Sequence, residues 1–470
     1  MAGITVKAIE YAMPEANRSL WSRAIDAFEF REYLTRWDIL RAALIVTSAV
    51  LMLLVSPRPN AVMQKYWMLT PVEVRGPVHV MKNIDSWEFE HGARHPGDLF
   101  TVAHRHWQSR PLSIWLGWFL AQPFRAAGMP SKQIMTAEEG RALIEKPPFP
   151  GVYNSYSPEY AAFILLNWIL LVVSVLLLKP LVRGKSFLEP RVILPLSMLL
   201  VNGVTKAFFW TPHVQIFSVL MPMVSLTLLR PLLPRVGTIR WRHIAMIGVI
   251  VGVLSLAYGA FAVTAGALTL CILLGGEAKA LFAGFRRKAI LAFCLVASFF
   301  APFLIWVSVV IAKTGAFYSP ETQRYHEFVW IYEQLPKGLV VYSLLVAKNV
   351  SSYVGFAVHA VTIPMLLIAG LLLVFYRETT SGRLVRANVD TRLAVVFYAI
   401  ANTTFYASMG FYAERLAWTL VPAVLVILGL QAGIVDSELT GLRQRLFRVG
   451  TAVVAIGYAL HTVFERGPYA

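Results

Sequence analysis

Pro111-Leu-Ser-Ile-Trp-Leu-Gly-Trp-Phe-Leu-Ala-Gln-Pro-Phe124 is the segment on which the topology turns. It is apolar, and proline is favoured in the first turn of a helix. If it crossed a membrane, the loop carrying Lys179, Arg183, Lys185 and Arg191 would be separated from the other basic loops. It is also short for a crossing, which takes about 20 residues, and Arg and Pro stand near both ends. Trp115, Trp118 and Phe119 suit the headgroup level, where an aromatic ring finds an apolar and a wet side together. The pattern predicts a helix lying in the outer interface.

On both sides of this segment the chain is strongly apolar. Of 470 residues, 57% are hydrophobic and only 15% charged, against about a quarter charged in soluble proteins. The mean hydropathy is +0.60. Apolar runs at 39–55, 160–179, 191–206, 213–230, 243–258, 260–276, 288–312, 351–375, 392–410, 416–434 and 447–463 predict an all-α polytopic integral membrane protein. It has about eleven transmembrane helices and interfacial helices in a large first outer loop.

The formal net charge of +17 sits in short loops between these runs. That is a topology signal and excludes a nucleic-acid partner. Arg23, Arg31, Arg36 and Arg41 put the N-terminus in the cytoplasm, and an odd number of crossings puts the C-terminus outside. Residues 1–38 form a cytoplasmic amphipathic segment, and 39–463 a single transmembrane domain. The large outer loops are 56–159 and 313–350. Cys271 and Cys294 lie inside apolar runs, so no disulfide is expected.

Loops this long are usually functional. The first contains Asn83-Ile-Asp-Ser-Trp-Glu-Phe-Glu-His-Gly92, in which Asp85-Ser-Trp-Glu88 has capping-box spacing. A helix is expected from there, a second from Asp98 to Gln108, a third from Pro111, and a short polar one from Thr136-Ala-Glu-Glu139. His91 and His95 are four apart, a spacing that can hold zinc. Gly92 and Pro96 interrupt the helix and no cysteine assists, so no metal site is expected and a divalent ion is a lesser alternative.

The order of these features resembles the first periplasmic loop of GT-C membrane glycosyltransferases. An acidic residue opens a surface helix, a Gly97-Asp98 turn follows, and Arg110-Pro111-Leu112 starts an aromatic interfacial helix. The likeness is to the branch of protein O-mannosyltransferases and lipid A aminoarabinose transferases. There the usual pattern is Asp-Glu and then Lys-Pro-Pro-Leu, where this chain has Asp85-Ser86 and Arg110-Pro111-Leu112. A second large loop after the seventh span, and Tyr412-Ala-Glu-Arg415 before a span containing Pro422, extend the likeness.

The resemblance implies transfer of a sugar from a polyprenyl-phosphate donor to a glycan, lipid or protein acceptor. The active site would lie on the outer-loop side of a bacterial inner (plasma) membrane. Asp85 would be the general base, with Glu88 and His91 as candidate acid or acceptor contacts. The departing phosphate needs cations. The candidates are Arg110, Lys206, His213, Arg324, His326, Lys337 and Arg415. No nucleotide-binding loop is present, as expected of a lipid-linked donor, and no cofactor is implied.

Two other readings fit fewer residues. A lipid or solute transporter or flippase would place ionisable groups at mid-membrane depth, whereas His359 and Pro364 are the main exceptions to apolar spans here. An O-antigen ligase or polymerase would carry its main loop late in the chain.

Overall fold

A computed structural model describes residues 35–57, 69–75, 78–83, 85–101, 106–130, 157–275, 284–323, 325–375, 388–410 and 414–464. Most of the expected N-terminal amphipathic segment, and the polar helix expected at Thr136–Glu139, lie outside the described residues.

The architecture is that of an α-helical integral membrane protein. Seven helical stretches are long and apolar enough to cross a membrane: Arg36–Val55, Pro158–Leu181, Val214–Arg235, Phe285–Thr314, Leu339–Leu373, Arg415–Glu438 and Gly441–Phe464. Pro190–Leu200, Trp241–Ser255 and Phe261–Leu274 are apolar but shorter. A further 21-residue helix, Val389–Met409, carries Asp390, Arg392 and Asn402. Each of the eleven apolar runs is therefore mostly helical, that at 191–206 being broken at Val201-Asn202, while among the described residues seven stretches meet the length and hydropathy of a crossing.

In chain order the principal helices are α1 (Arg36–Met52), α2 (Asp85–Arg94), α3 (Asp98–Thr101), α4 (Pro111–Ala126), α5 (Pro158–Leu181), α6 (Pro190–Leu200), α7 (Gly203–Phe208) and α8 (Phe217–Leu232). They continue as α9 (Trp241–Ser255), α10 (Phe261–Leu274), α11 (Phe285–Thr314), α12 (Pro320–Gln323), α13 (Val329–Gln334), α14 (Leu339–Phe375), α15 (Val389–Met409), α16 (Glu414–Ala417), α17 (Val421–Glu438) and α18 (Gly441–Phe464). The core surrounds α8 and α17. Helix α8 packs on α5, α10, α15 and α17, and α17 on α6 and α14. Helices α11 and α14 leave Phe293, Ile305, Leu366 and Leu373 exposed, as a lipid-facing surface requires.

Alternate connections meet at opposite ends of the bundle. At one end, cations sit on the carbonyls that helix C-termini leave unsatisfied. Arg230 donates to Pro180 O and Lys288 to Gly275 O, while Arg287 donates to Gly237 O and Ile239 O. A buried Lys179–Asp38 pair at 2.8 Å ties α5 to α1. Both side chains are 1% exposed, so each charge needs the other.

Three features depart from the sequence reading. An antiparallel hairpin of β1 (Leu69–Arg75) and β2 (Val78–Asn83), which pairs Leu69 with Asn83 and Val72 with Val80, adds a small sheet to the otherwise helical fold. The alternation Val72, Val74, Val78, Val80 around Gly76-Pro77 carried that signal. Of the helix expected from Asp98 to Gln108, the described residues show an α turn at Asp98–Thr101 (α3) and a 3₁₀ turn at His106–Ser109. The second outer loop is shorter than 313–350, because α14 begins at Leu339. Leu339-Val-Val-Tyr-Ser-Leu-Leu-Val346 lacks a helix breaker and joins the predicted span. At 37 residues, α14 is about 56 Å long, against a hydrocarbon core of about 30 Å, so part of it stands clear of the core.

Helix α9 meets α11 through two glycines one turn apart. A methyl group on Gly248 would strike Ser298 and Leu295 O, and one on Gly252 would strike Phe299 O. Small residues in this spacing allow close helix approach in a bilayer. Gly252→Ala is expected to destabilise the protein by about 1–3 kcal/mol. Gly450→Ala on α18, where a Cβ meets open space, should be near neutral. Thermal unfolding of the two variants in detergent checks the contrast.

Candidate functional site

Six stretches from the end opposite the Lys179–Asp38 pair converge: the Asp85 helix, the start of α4, the α7–α8 turn, the α9–α10 turn, the loop after α11, and α16. Helix α2 opens at Asp85; the Asp85 side chain lies outside the described residues. One turn on, Phe89 packs its ring against His213 with centroids 5.4 Å apart. His213 also meets Phe208 at 4.9 Å, and the Arg415 guanidinium lies 5.6 Å over that Phe208 ring. The aromatic chain Phe89–His213–Phe208 thus joins the Asp85 helix to Arg415.

His213 is buried, and its Nδ1 accepts the Gln215 N–H at 3.0 Å. An imidazole accepting there holds its proton on Nε2 and is neutral. Burial, and the nearby Arg415 and Arg110 guanidiniums, hold its pKa well below the usual histidine range. It would serve as an orienting hydrogen-bond donor and not as a cation.

Arg110, immediately before α4, crosses to the loop after α11 and binds Glu321 at 2.9 Å. Ser319 donates to the other Glu321 oxygen at 2.9 Å, and Ser109 reaches the first at 3.4 Å. Burial alone would raise the Glu321 carboxyl, but Arg110, its own backbone N–H and Ser319 bring it below the ordinary value. Glu321 is therefore the anion that positions Arg110. Both Arg110 and Arg415 act electrostatically on Tyr258, in the α9–α10 turn.

Several buried polar atoms around these cations make no hydrogen bond: Arg415 Nε, Gln215 Nε2, Tyr258 Oη and Tyr406 Oη. Gln215 and Tyr406 stand close enough to Tyr258 to act on it as weak hydrogen-bond partners, but none of these contacts reaches full hydrogen-bond geometry. Native proteins rarely strand such groups, and a bound polar molecule would satisfy them. Behind Tyr406, a stacked Tyr353 at 5.4 Å donates to Asn402, which donates to Thr419 at 2.9 Å. This satisfied network fixes the floor on which Tyr406 rests.

The structure thus gathers Arg110, His213, Arg415 and the helix of Asp85. It places the other candidates elsewhere. Lys206 donates to Thr462 O at 3.1 Å and Val463 O at 2.9 Å, so it caps the end of α18, and burial pulls its ammonium down to about 8. His326 is exposed and pairs with Glu333 at 3.3 Å. Lys337 stands exposed on a 3₁₀ turn at Leu335–Lys337. Arg324 lies outside the described residues. His91 lies 3.5 Å from Asp98 and 5.0 Å, ring to ring, from His95. Glu88, on α2, is half-buried. Among the described residues no group of three or more histidine, cysteine or acidic side chains is placed to hold a metal.

Sequence reasoning missed Glu321, Gln215, Tyr258 and Tyr406, which come together only through tertiary packing. It also missed the pair that anchors the first loop. Lys82 and Glu90 form an ion pair at 1% and 0% exposure, and Ser157 donates to Glu90 at 3.0 Å. Burial raises the Glu90 carboxyl, and Lys82 and Ser157 oppose the shift. Beside it, Glu159 holds Arg125 and Arg94. These contacts clamp β2, α2 and α4 to the start of α5.

No family model, curated protein or solved structure matches the chain.

Breaking the Lys82–Glu90 pair on one side leaves a buried charge alone. Lys82→Met should destabilise by about 3–5 kcal/mol, and Lys82→Met with Glu90→Leu should recover most of that loss. Unfolding midpoints of the single and double variants measure it.

Proposed function

We infer that this protein is a membrane glycosyltransferase, transferring a sugar from a polyprenyl-phosphate donor to an acceptor at the outer face. The observation that carries this reading is the convergence of Arg110, Arg415 and neutral His213 with stranded polar atoms, beside the helix that Asp85 opens. Two guanidiniums suit a lipid-linked phosphate. Gln215, Tyr258 and Tyr406 suit the hydroxyl groups of a sugar. The exposed apolar faces of α11 and α14 give a prenyl chain a hydrocarbon surface.

In this mechanism Asp85 takes the proton of the acceptor hydroxyl as its oxygen attacks the anomeric carbon. Arg110 and Arg415 stabilise the charge that develops on the departing phosphate. The resemblance to GT-C transferases supports the same assignment, including an outer-facing site, a bacterial inner membrane and a cytoplasmic N-terminus. Eleven crossings would require α6, α9, α10 and α15 to span as well as the seven longer helical stretches. Lys206 is assigned to the end of α18 and not to the donor. No cofactor is part of this scheme.

Transfer of labelled sugar from a panel of polyprenyl-phosphate donors tests the reading. Asp85→Asn keeps the ability to accept helix N–H groups but cannot act as base. It should lower transfer about 10²–10⁴-fold. Arg415→Gln should lower it by roughly 10²-fold. Undiminished transfer by the Asp85 variant would remove Asp85 from the chemistry. Absence of transfer by the wild-type protein with every donor would sink the transferase reading and favour a transporter.

A further inference from the structure

Glu327 lies beside the Arg110–Glu321 pair and has no role in the account so far. It is only 9% exposed, and among the described residues its carboxyl has no hydrogen-bond partner. Its backbone is held firmly. The Glu327 N–H donates to Glu321 O at 2.9 Å, and the Phe328 N–H donates to Met409 O at 3.2 Å. The residues on either side, His326 and Phe328, are both left-handed, with φ of 53° and 61°. Non-glycine residues adopt that conformation reluctantly, and such strain concentrates where a side chain must be aimed.

A carboxyl on a residue this little exposed, with no cation bound to it, is disfavoured in its charged form. Burial, and then the Glu321 carboxylate, push Glu327 up to about 8, while Arg110 pulls against them. Those are the charged groups that act on it; the neighbouring His326 turns away to Glu333. Two carboxyls side by side are thus driven apart, one an anion that orients Arg110 and one a neutral donor. Such a split divides acid from base roles. An anion seated on Arg110 would meet a proton donor at Glu327 and not a like charge.

We propose that protonated Glu327 donates a hydrogen bond to the lipid-linked phosphate held by Arg110 and gives that phosphate its proton as the sugar departs. The assignment deepens the transferase reading and rests on it for the proton-transfer step. The acceptor oxygen bonds to the anomeric carbon, and its proton passes to Asp85. The bond from that carbon to the phosphate oxygen breaks, leaving its electron pair on the oxygen. That oxygen takes the Glu327 proton, and water restores it.

The test is equilibrium binding of polyprenyl phosphate to the purified full-length protein in micelles, from pH 6.5 to 9.5. If binding needs the protonated carboxyl, wild-type affinity should be about tenfold weaker at pH 9 than at pH 7. Glu327→Gln, whose amide donates at every pH, should bind with no such decline. Glu321→Gln removes the repelling carboxylate, so the midpoint of the decline should move to lower pH. A flat wild-type curve, or the same decline in Glu327→Gln, overturns the proposal. So does an unmoved midpoint in Glu321→Gln. If the predicted pH dependence is found but no donor sugar is ever transferred, the phosphate contact stands and the transferase reading fails. If sugar is transferred and binding ignores pH in all three proteins, this assignment fails alone.

Discussion

The Arg110–Glu321 ion pair joins the two long loops at one end of the helices, and the site depends on it. Arg110 precedes α4; Glu321 follows α11, more than two hundred residues later. Neither loop could aim a guanidinium alone, because an arginine side chain has many rotamers and ordering it costs entropy. The carboxylate fixes the guanidinium, and Ser109 and Ser319 fix the carboxylate. Further anchors make the loops rigid enough to serve. Lys82–Glu90 and Arg125–Glu159 clamp the first loop to α5. Trp306 Nε1 donates to Gln108 O at 2.7 Å, which ties that loop to α11. Trp330 Nε1 donates to Ser408 O at 2.9 Å, which docks the second loop on α15.

A bilayer forces this division of labour. Inside the hydrocarbon, backbone groups must bond within their own helix and charges are costly. Small residues such as Gly248 and Gly252 then decide how closely helices approach. Chemistry that needs several charged side chains is displaced to the membrane surface, where water and long loops are available. The polar ladder from Tyr406 through Tyr353, Asn402 and Thr419 is uncharged, and each step inward from the site costs correspondingly less.

The helical, membrane-embedded character of the chain was legible because apolar runs of this length have few other outcomes. The helix at Pro111 was legible for a similar reason, since proline and arginine mark its ends. Arg110 and Arg415 stood out as cations beside helix starts. The hairpin was passed over although its valine alternation was present. Helix α14 starts twelve residues before the apolar run at 351–375, because a long helix can carry Lys348 and Asn349 within it. Glu321 and Glu327 carried no local signal. A glutamate in a polar loop is ordinary, and only the fold reveals that one holds Arg110 and the other is buried without a partner. The contacts of Lys206 were not legible for the same reason, since its carbonyl partners lie some 250 residues away at the far end of the chain.

The most direct measurement is the position of bound donor phosphate, obtained from a structure of the full-length protein with a non-transferable polyprenyl-phosphate sugar. The account predicts phosphate between Arg110 and Arg415, with the sugar toward Tyr258, Tyr406 and the Asp85 helix, and the prenyl chain along an exposed helix face. Phosphate bound at the opposite end of the bundle, near Arg287 and Lys288, would contradict it.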